Sequence, residues 1–315
     1  MTLLIKEHLK KQLKKHIIEQ FPNQSSELFT ACLTRAPMAL RINTRRVSAA
    51  EYQTTLADAA IEFREGPFPE TVILAQPRRT EELPGFDKGL VSIQDVGAQY
   101  AAHLLIDRLA QPQGQTLDAC AAPGGKLFHL MELSASDHQF VALESQARRA
   151  TLIDTDATRL GHQISVTVGD ARNLAWWSGE KFSQILLDAP CSGTGTLRRH
   201  PDIKVLLDPS SIDTHHSNQL QLLNNLWSTL QPGGTLLYCT CSLLEQENDS
   251  VIEAFVTQQF EALQSPLSRS SMSSINQPIS LPTGGQTKFG WQLLPTNPDT
   301  DGFYFALLKK PLETP

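Results

Sequence analysis

The fold is decided by two stretches, Leu186-Leu187-Asp188-Ala189-Pro190-Cys191-Ser192-Gly193 and Tyr238-Cys239-Thr240-Cys241-Ser242. Each stretch follows a short apolar run that is typical of a buried strand, and each places a cysteine where that strand would end. In an open parallel sheet, the loops at the carboxyl ends of the strands form the ligand-binding crevice. We therefore predict that Cys191 and Cys241 face each other across such a crevice.

From residue 90 onward the sequence alternates between strand and helix patterns, which is typical of a parallel sheet. The predicted strands are Thr116–Cys120, Phe140–Leu143, Ile164–Val168, Gln184–Leu187 and Thr235–Tyr238. The predicted helices are Asp95–Arg108, Gly125–Leu133, Gln146–Gly161, Ser210–Leu230 and Glu245–Phe260. Residues 263–300 are rich in Ser, Pro, Gln and Gly and are predicted to form a long loop before a last strand at 303–308. The expected fold class is α/β.

The first 88 residues have the pattern of a smaller α+β module. An amphipathic helix is expected over residues 3–20, where Ile5, Leu9, Leu13 and Ile17 form one apolar stripe. The other expected elements are strands at 38–42, 61–63 and 71–74 and a helix at 48–60 capped by Ser48. We interpret residues 77–89 as the linker, so the predicted domains are 1–88 and 89–315.

The composition is typical of a globular protein: of 315 residues, 40% are hydrophobic and 19% are charged. No apolar run approaches the roughly 20 residues of a membrane span. The five cysteines are an odd number in a long chain, which disfavours a disulfide framework and favours a reducing, cytoplasmic location.

Positive charge is concentrated near the start of the chain. The formal net charge of the protein is −6, but residues 1–46 hold nine Lys and Arg against three Glu, a local charge of +6. A basic end on an acidic body is expected when one part of the surface binds a polyanion. A solvated helix face explains the same charges equally well.

Asp118–Lys126 follows the first predicted strand of the α/β domain and opens a helix. Small residues at this position let a ligand approach the backbone, and the helix N-terminus offers free N–H groups. The stretch does not spell G-x-G-x-x-G, which disfavours a pyrophosphate cofactor. The predicted cofactor-binding residues here are Cys120, Ala121, Ala122, Pro123, Gly124, Gly125 and Lys126.

Two acidic residues follow the next two strands. Glu144 is placed to accept hydrogen bonds from both hydroxyls of a ribose, and Asp170 is placed to hold an adenine amino group. A ribose without phosphate, together with adenine, describes S-adenosylmethionine. Taken singly, each acid is better explained as a loop carboxylate that caps a helix. Three loops in register, each with a suitable group, favour the ligand site instead.

Two thiols at one site favour nucleophilic catalysis, in which a thiolate adds to an electron-poor ring such as carbon 6 of cytosine. A free thiol has a pKa of about 8.5, so Lys126 or a helix N-terminus is expected to activate it. Asp188 is placed to bind the pyrimidine edge. A zinc site is disfavoured because Cys239-x-Cys241 has the wrong spacing. Buried cysteine is also common as a small apolar residue, which we prefer for Cys32, Cys120 and Cys239.

Together these motifs resemble the RNA (cytosine-5) methyltransferases of the NOL1/NOP2/Sun family. The residues that carry the resemblance are Asp118–Lys126, Asp188–Gly193, Arg198–Lys204, Thr240-Cys241-Ser242, Leu40-Arg41-Ile42-Asn43-Thr44 and Asp301-Gly302-Phe303-Tyr304-Phe305-Ala306. The resemblance covers about residues 35–310. It implies a Rossmann-like catalytic domain that uses S-adenosylmethionine.

The resemblance also implies residue roles and a substrate. Cys241 would be the nucleophile and Cys191 the thiol that assists release, with donor contacts at Cys120–Lys126, Glu144, Asp170 and Asp188. The implied substrate is a cytosine in 16S ribosomal RNA, bound by a protein that we expect to be monomeric. The candidate RNA contacts are Arg198, Arg199, His200, Lys204, Arg41, Arg45 and Arg46.

The sequence departs from the family pattern at its start. Relatives usually carry an NusB-like helical domain that would precede Met1, and this sequence has no counterpart to it. The helix expected at 3–20 corresponds to the segment that comes after that domain in the relatives. Two alternative functions stay open: a transfer-RNA cytosine-5 methyltransferase, and an RNA-binding ribosome assembly factor with a vestigial donor pocket.

Overall fold

A computed structural model describes residues 11–106, 114–135, 137–262 and 275–312. The chain forms a four-stranded antiparallel sheet and a nine-stranded mixed sheet. Two helices, α1 (Lys11–Gln20) and α2 (Ser25–Ala31), precede both sheets. In the predicted stripe, Leu13 and Ile17 are buried as expected, whereas Ile5 and Leu9 lie outside the described residues.

The first sheet has the strand order β2-β3-β1-β4. Its elements are β1 (Met38–Ile42), α3 (Ala49–Asp58), β2 (Phe63–Glu65), β3 (Thr71–Leu74) and β4 (Val91–Ile93). Ser48 caps α3 as predicted, since its hydroxyl accepts from the backbone N–H of Glu51 while the Glu51 carboxylate accepts from the Ser48 backbone N–H. Residues 77–89 join β3 to β4 and are therefore a loop within this sheet, not the linker that we predicted.

Strand β1 is buried on both faces. Met38, Leu40 and Ile42 pack into the core of the small sheet, beneath α3. Ala39 belongs to a core shared with the larger sheet, and Arg41 is fully buried. Because alternate side chains of a strand point to opposite faces, β1 joins the two parts of the molecule.

The second part of the chain alternates strand and helix, as predicted. Its elements up to the second cysteine stretch are α4 (Val96–Ile106), β5 (Gln115–Ala119), α5 (Gly125–Leu133), β6 (Gln139–Glu144), α6 (Ala147–Leu160), β7 (Ser165–Val168), β8 (Phe182–Asp188), α7 (Ile203–Leu206), α8 (Ser211–Thr229) and β9 (Leu230–Thr240). Strands β9, β8, β5, β6 and β7 lie side by side in that order and are parallel. The α/β fold class is confirmed.

The last predicted helix is interrupted. A 3₁₀ turn occupies Glu245–Glu247, and α9 begins only at Asp249 and extends to Ala262. Asn248 lies between them with φ −115° and ψ −105°, which is not a helical conformation. The break leaves Glu247 facing the protein interior instead of lying on a regular helix.

Residues 263–300 are not the uniform loop that we predicted. The described part contains β10 (Asn276–Gln277), β11 (Gly285–Gln286) and β12 (Trp291–Leu293), and it leads to β13 (Phe303–Lys309). Strand β13 pairs antiparallel with β9, and β10 and β12 pair antiparallel with β13. Strands β10, β11 and β12 have only two or three residues, too few for an alternating pattern to be visible in sequence.

The large sheet is covered by helices on both faces. Leu187 and Tyr238 pack on the side of α8 and α9, whereas Leu186 and Leu237 pack on the side of α4 and α5. Both sets are fully buried, which explains the continuous apolar runs that precede the two cysteine motifs. Within the described ranges, no helix is long and apolar enough to cross a membrane.

Candidate active site at the carboxyl ends of the central strands

The two cysteines meet as predicted. Cys191 follows β8 and Cys241 follows β9, and these two strands are parallel neighbours. The Sγ atoms of Cys191 and Cys241 lie 3.4 Å apart. Backbone hydrogen bonds join the two loops, because the N–H of Gly195 donates to the carbonyl of Cys241 at 2.8 Å. The arrangement places two thiols side by side at the edge of the sheet where ligands bind.

Glu247 connects the two cysteine loops from the protein interior. Its carboxylate accepts from the backbone N–H of Ser192 at 2.8 Å and from the hydroxyls of Ser192 and Ser242, each at 2.5 Å. These serines directly follow Cys191 and Cys241 in the chain. Sequence reasoning missed Glu247 because we placed it on a regular helix; the serine after each cysteine was the available signal.

Lys126 and Asp188 form an ion pair beside the thiols, with the Lys126 Nζ 2.6 Å from the Asp188 Oδ2. The Lys126 ammonium also lies over the ring of Phe303, 5.3 Å from its centroid. Burial opposes the charged form of Lys126, but the Asp188 carboxylate and the Cys239 thiol outweigh burial and raise the pKa of Lys126. Lys126 therefore carries a positive charge at neutral pH.

The remaining thiols near this ion pair are held in the protonated form. Burial, followed by the charge of Asp188, raises the pKa of Cys239, and its Sγ donates to the Asp188 Oδ1 at 3.4 Å. Burial, followed by the charge of Asp118, raises the pKa of Cys120 to about 12. Both observations agree with the interpretation of Cys239 and Cys120 as unreactive thiols.

A cavity of about 200 Å³ lies at the ends of β5, β6, β7 and β8. Its lining includes Cys120, Ser145, Asp170, Pro190 and His215. Four loops of the parallel sheet, among them the loop that carries Cys191, thus supply one pocket, together with the first turns of α8. His215 was not among the predicted residues, because the sequence gives no sign that α8 covers this pocket.

Two buried carboxylate oxygens near the pocket are free to accept hydrogen bonds. Among the described residues, the Oδ1 of Asp118 and the Oε2 of Glu144 have no hydrogen-bond partner. The Glu144 Oε2 lies 3.4 Å from the Arg149 Nη1, and its other oxygen accepts from the backbone N–H of Gln146 at 3.0 Å. Buried polar atoms are normally paired, so a ligand with hydroxyl donors fits this site.

Asp170 lies at the mouth of the pocket and is already paired. Its carboxylate accepts from the Nε and Nη2 of Arg172, the latter at 2.8 Å. Arg172 also donates to the Oδ1 of Asn218 on α8 at 3.3 Å. Sequence reasoning named Asp170 but missed Arg172, which orients the acid and links its loop to α8.

The loop from Cys120 to Lys126 has two residues in the left-handed region of the backbone, and its role as a cofactor cradle stays a prediction. Cys120 has φ +66° and Gly124 has φ +110°, both in the left-handed region. A Cβ at Gly124 would lie 2.3 Å from a ring carbon of Phe128, so only glycine fits there. Gly125 then begins α5, so the free N–H groups of its first turn lie at the carboxyl edge of the sheet.

Three of the predicted RNA contacts are buried and serve the fold. Arg41 is fully buried against Glu132, with its Nε 2.7 Å from the Glu132 Oε2. The side chain of Arg198 is 2% exposed and pairs with Asp301. The Nζ of Lys204 donates to the carbonyl of Cys32 at 3.0 Å. We correct these predictions, since their polar groups are already paired inside the protein.

The other four predicted RNA contacts are more accessible. His200 is exposed, and Arg199 keeps 27% of its side chain exposed while pairing with Asp95 and Asp301. Arg45 and Arg46 are exposed residues that donate to backbone carbonyls, among them those of residues 134 and 160. All four remain candidates for RNA binding.

A separate polar cluster lies between the small sheet and the helices of the large one. The Oε1 of Glu70 lies 2.6 Å from the Nε2 of His103 and 3.0 Å from the Nε2 of His129. Metals bind such groups, but the buried Nδ1 of His129 has no partner among the described residues. A metal-bound histidine almost always donates its second N–H. The cluster is therefore a hydrogen-bond network. That this protein binds no metal ion stays a prediction.

The sheet order and the ligand pocket at its carboxyl edge define a Rossmann-like methyltransferase domain with a small sheet attached. The chain belongs to the family described as 16S rRNA methyltransferase RsmB/F, which residues 108–309 match. Residues 11–81 match the ferredoxin-like domain described as Methyltr_RsmF/B-like. The resemblance stated from the motifs is confirmed.

Individual relatives carry a consistent name. The chain is 39% identical over 300 residues to the probable ribosomal RNA small subunit methyltransferase B of Coxiella burnetii, covering 94% of this chain and 66% of the relative. It is 41% identical over 299 residues to ribosomal RNA small subunit methyltransferase B of Pasteurella multocida, covering 93% and 63%. The chain thus spans 63 to 66% of the length of these relatives.

Solved structures share the architecture. The crystal structure of PH0851 matches with a TM-score of 0.84 and 25% identity, over 96% of this chain and 66% of that chain. The crystal structure of NSun6 from Pyrococcus horikoshii with SFG matches with a TM-score of 0.79 and 18% identity, over 95% of this chain and 98% of that chain. The second likeness shows the fold alone.

Proposed function

We propose that this protein methylates carbon 5 of a cytosine in 16S ribosomal RNA, with S-adenosylmethionine as the methyl donor and a covalent bond between a cysteine and the base. The observation that carries the proposal is the 3.4 Å separation of the Cys191 and Cys241 sulfur atoms beside a ligand pocket. Family membership and the names of the relatives support the RNA substrate.

The pocket chemistry fits the donor. When bound, S-adenosylmethionine supplies an electrophilic methyl group. The unpaired Glu144 Oε2 is proposed to accept from the ribose hydroxyls, and Asp170 to hold the adenine amino group. The loop Cys120–Lys126 offers backbone atoms at close approach. Asp188, which is paired to Lys126 at 2.6 Å, ends β8 two residues before Pro190 of the pocket lining, and it is proposed as a further donor contact.

The reaction is proposed to begin with the Cys241 thiolate, which adds to carbon 6 of the cytosine. The addition makes carbon 5 nucleophilic, and carbon 5 takes the methyl group. Once Cys241 is bonded to carbon 6 and carries no negative charge, Cys191 loses its own proton to solvent. The Cys191 thiolate then takes the proton from carbon 5, and the Cys241–carbon 6 bond breaks to restore the aromatic ring and release the Cys241 thiolate. The positive charge of Lys126 stabilises the Cys241 thiolate, and Asp188 binds the polar edge of the base.

RNA is proposed to approach along the surface that carries His200 and Arg199 and extends to Arg45 and Arg46. These side chains keep exposed area, whereas Arg41 and Arg198 do not. Phosphate contacts would position the RNA without reading its sequence. We propose that the protein acts as a monomer in the cytoplasm. The predicted division of work between RNA binding (1–88) and catalysis (89–315) is proposed with its boundary moved past β4, which completes the small sheet.

A methylation assay with radiolabelled S-adenosylmethionine tests the proposal. The purified protein is incubated with 16S ribosomal RNA and, separately, with transfer RNA, and bisulfite sequencing then locates 5-methylcytosine. Methylation of a single cytosine in 16S ribosomal RNA is expected. Methylation of transfer RNA alone would favour the first alternative, and RNA binding without any turnover would favour an assembly factor.

A further inference from the structure

Glu247 is a fully buried acid that the proposed reaction does not use. It accepts hydrogen bonds from the backbone N–H and hydroxyl of Ser192, the hydroxyl of Ser242 and the amide of Gln219. Four donors therefore point at two oxygen atoms. Only an ionised carboxylate accepts from all of them without donating a proton of its own.

The position of this carboxylate is defined by its own backbone. The hydroxyl of Tyr238 donates to the Glu247 carbonyl at 2.6 Å, and the Glu247 N–H donates to the carbonyl of Leu244 at 3.0 Å. The neighbouring Asn248 accepts from the Thr240 hydroxyl at 2.6 Å and donates to the Ser242 carbonyl at 3.0 Å. The turn at Glu245–Glu247 is thus tied to the strand end that carries Cys241.

We propose that Glu247 is a positioning residue for the two-thiol site: it fixes the loops of Cys191 and Cys241 relative to each other and places its negative charge against the loop of Cys191. The proposal rests on the proposed function and adds a physical reason for the contact between the two cysteines. The two sulfur atoms come from different loops, and a functional site must hold its reactive atoms within about 0.5 Å of their productive positions. The two loops therefore need a group that joins them.

The charges around the two thiols are unequal. The hydrogen bond with Cys241, then burial, then the negative charges of Cys241 and Glu247 raise the pKa of Cys191 well above its usual value. Lys126, in contrast, interacts with the Cys241 side of the pair.

The test compares Glu247→Gln with Glu245→Gln in the full chain. Glu245 is exposed and lies two residues away on the same turn, so it is the matched control. Alkylation of each cysteine by iodoacetamide is followed by peptide mass spectrometry across pH 6 to 11, without RNA or donor. In Glu247→Gln the pH midpoint for Cys191 alkylation is expected to fall by about 1 unit, and in Glu245→Gln it is expected to match the unmodified protein.

Kinetics on the RNA give the second measurement. In Glu247→Gln, kcat is expected to fall by about 100-fold because the thiols are misplaced, while KM for RNA stays within about twofold. Glu247→Asp keeps the charge but shortens the reach, so kcat is expected to fall while the Cys191 midpoint stays unchanged. If Glu247→Gln does not fold, Glu247→Asp tests the proposal in its place.

An unchanged Cys191 midpoint in Glu247→Gln overturns the proposal, provided that circular dichroism and donor titration show an intact protein. A shifted midpoint in Glu247→Asp does the same. The alkylation profiles are measured without RNA or donor and therefore do not depend on methyl transfer. If neither RNA is methylated by the unmodified protein, the proposed function fails, and the role of Glu247 in thiol ionisation is still decided separately.

Discussion

The candidate ligand cleft and the interface with the small sheet use buried carboxylates in opposite ways. In the cleft, the Oε2 of Glu144 and the Oδ1 of Asp118 are buried without hydrogen-bond partners among the described residues. In the interface, Arg41 and Glu132 are equally buried but form two hydrogen bonds, at 2.7 and 3.0 Å. A carboxylate oxygen without a hydrogen-bond partner is available to a ligand, whereas one that is paired inside the chain holds the fold together.

This difference separates variants into two groups. Changes in the cleft should remove activity and leave the free energy of unfolding nearly unaltered. Changes in the interface should lower the free energy of unfolding. Five measurements test the contrast, beginning with the largest expected effect.

Cys241→Ala removes the proposed nucleophile, and methyl transfer should fall by about 10⁴-fold or more. Donor affinity, measured by calorimetric titration, should stay unchanged because the pocket is lined by other residues. Cys32→Ala is the matched control, since Cys32 is a buried thiol outside the pocket, in the core where α1 and α2 pack against Leu243 and Leu244. Retained activity in Cys241→Ala would contradict the assignment.

Cys191→Ala removes the thiol that assists release, and turnover should fall by about 10³-fold. The adduct between Cys241 and the RNA should then accumulate. A slow-migrating species on a denaturing gel measures this, and it should be missing in the double variant that also lacks Cys241. A gel without that species for Cys191→Ala alone would remove Cys191 from the release step.

Arg41→Ala leaves Glu132 charged and buried without its main partner. The free energy of unfolding should fall by about 3–5 kcal/mol, measured by urea denaturation. Arg64→Ala is the control, because Arg64 pairs with Asp299 at the surface and its side chain is 55% exposed. That variant should lose no more than about 1 kcal/mol. Equal losses in the free energy of unfolding would show that the buried Arg41–Glu132 pair stabilises the protein no more than a surface ion pair does.

Acid should weaken the same interface through His129. Burial lowers the pKa of His129 from 6.5 to about 4 in the folded protein. The unfolded chain therefore binds the extra proton between these values, and stability falls as the pH drops from 6.5 towards 4. The loss from this group should reach about 2 kcal/mol at pH 5 relative to pH 7. His129→Gln should flatten this part of the stability profile; an unaltered slope would exclude His129 as its source.

Asp170→Ala should weaken donor binding by about tenfold, since one hydrogen bond to a charged acceptor is lost. Calorimetric titration with S-adenosylmethionine measures the change, and the free energy of unfolding should stay the same. Asp213→Ala provides a control at an exposed acid on α8. An unchanged titration for Asp170→Ala would show that the adenine is held elsewhere.

The meeting of the two cysteines was predictable because it follows from topology. Two buried strands that are parallel neighbours must end at the same edge of the sheet, so residues just beyond them come together. The same rule located Glu144 and Asp170. It needed only the strand patterns, which are clear in β8 and β9 because each strand contains an unbroken apolar run, at residues 185–187 and 236–239.

Other residues could not be assigned in this way. In the sequence, Arg41 and Arg198 resemble surface cations because their partners, Glu132 and Asp301, are 91 and 103 positions away in the chain. The buried position of Glu247 was not predicted, because the sequence pattern indicates a continuous helix. The backbone departs from the helical conformation at Asn248. Charge and periodicity are local signals, whereas burial depends on contacts that only the folded chain reveals.

The strand β4 pairs with β1 in the small sheet, and α4 begins three residues after β4 ends. The short connection from β4 to α4 and the Arg41–Glu132 pair tie the small sheet to the larger one. The small sheet is therefore difficult to exchange for that of a homologue. A chimaera that exchanged only residues 38–93 would have to bring a matching partner for Glu132. The face of the small sheet that meets α5 is therefore matched to this one helix, and a substitution at Arg41 requires a compensating one at Glu132.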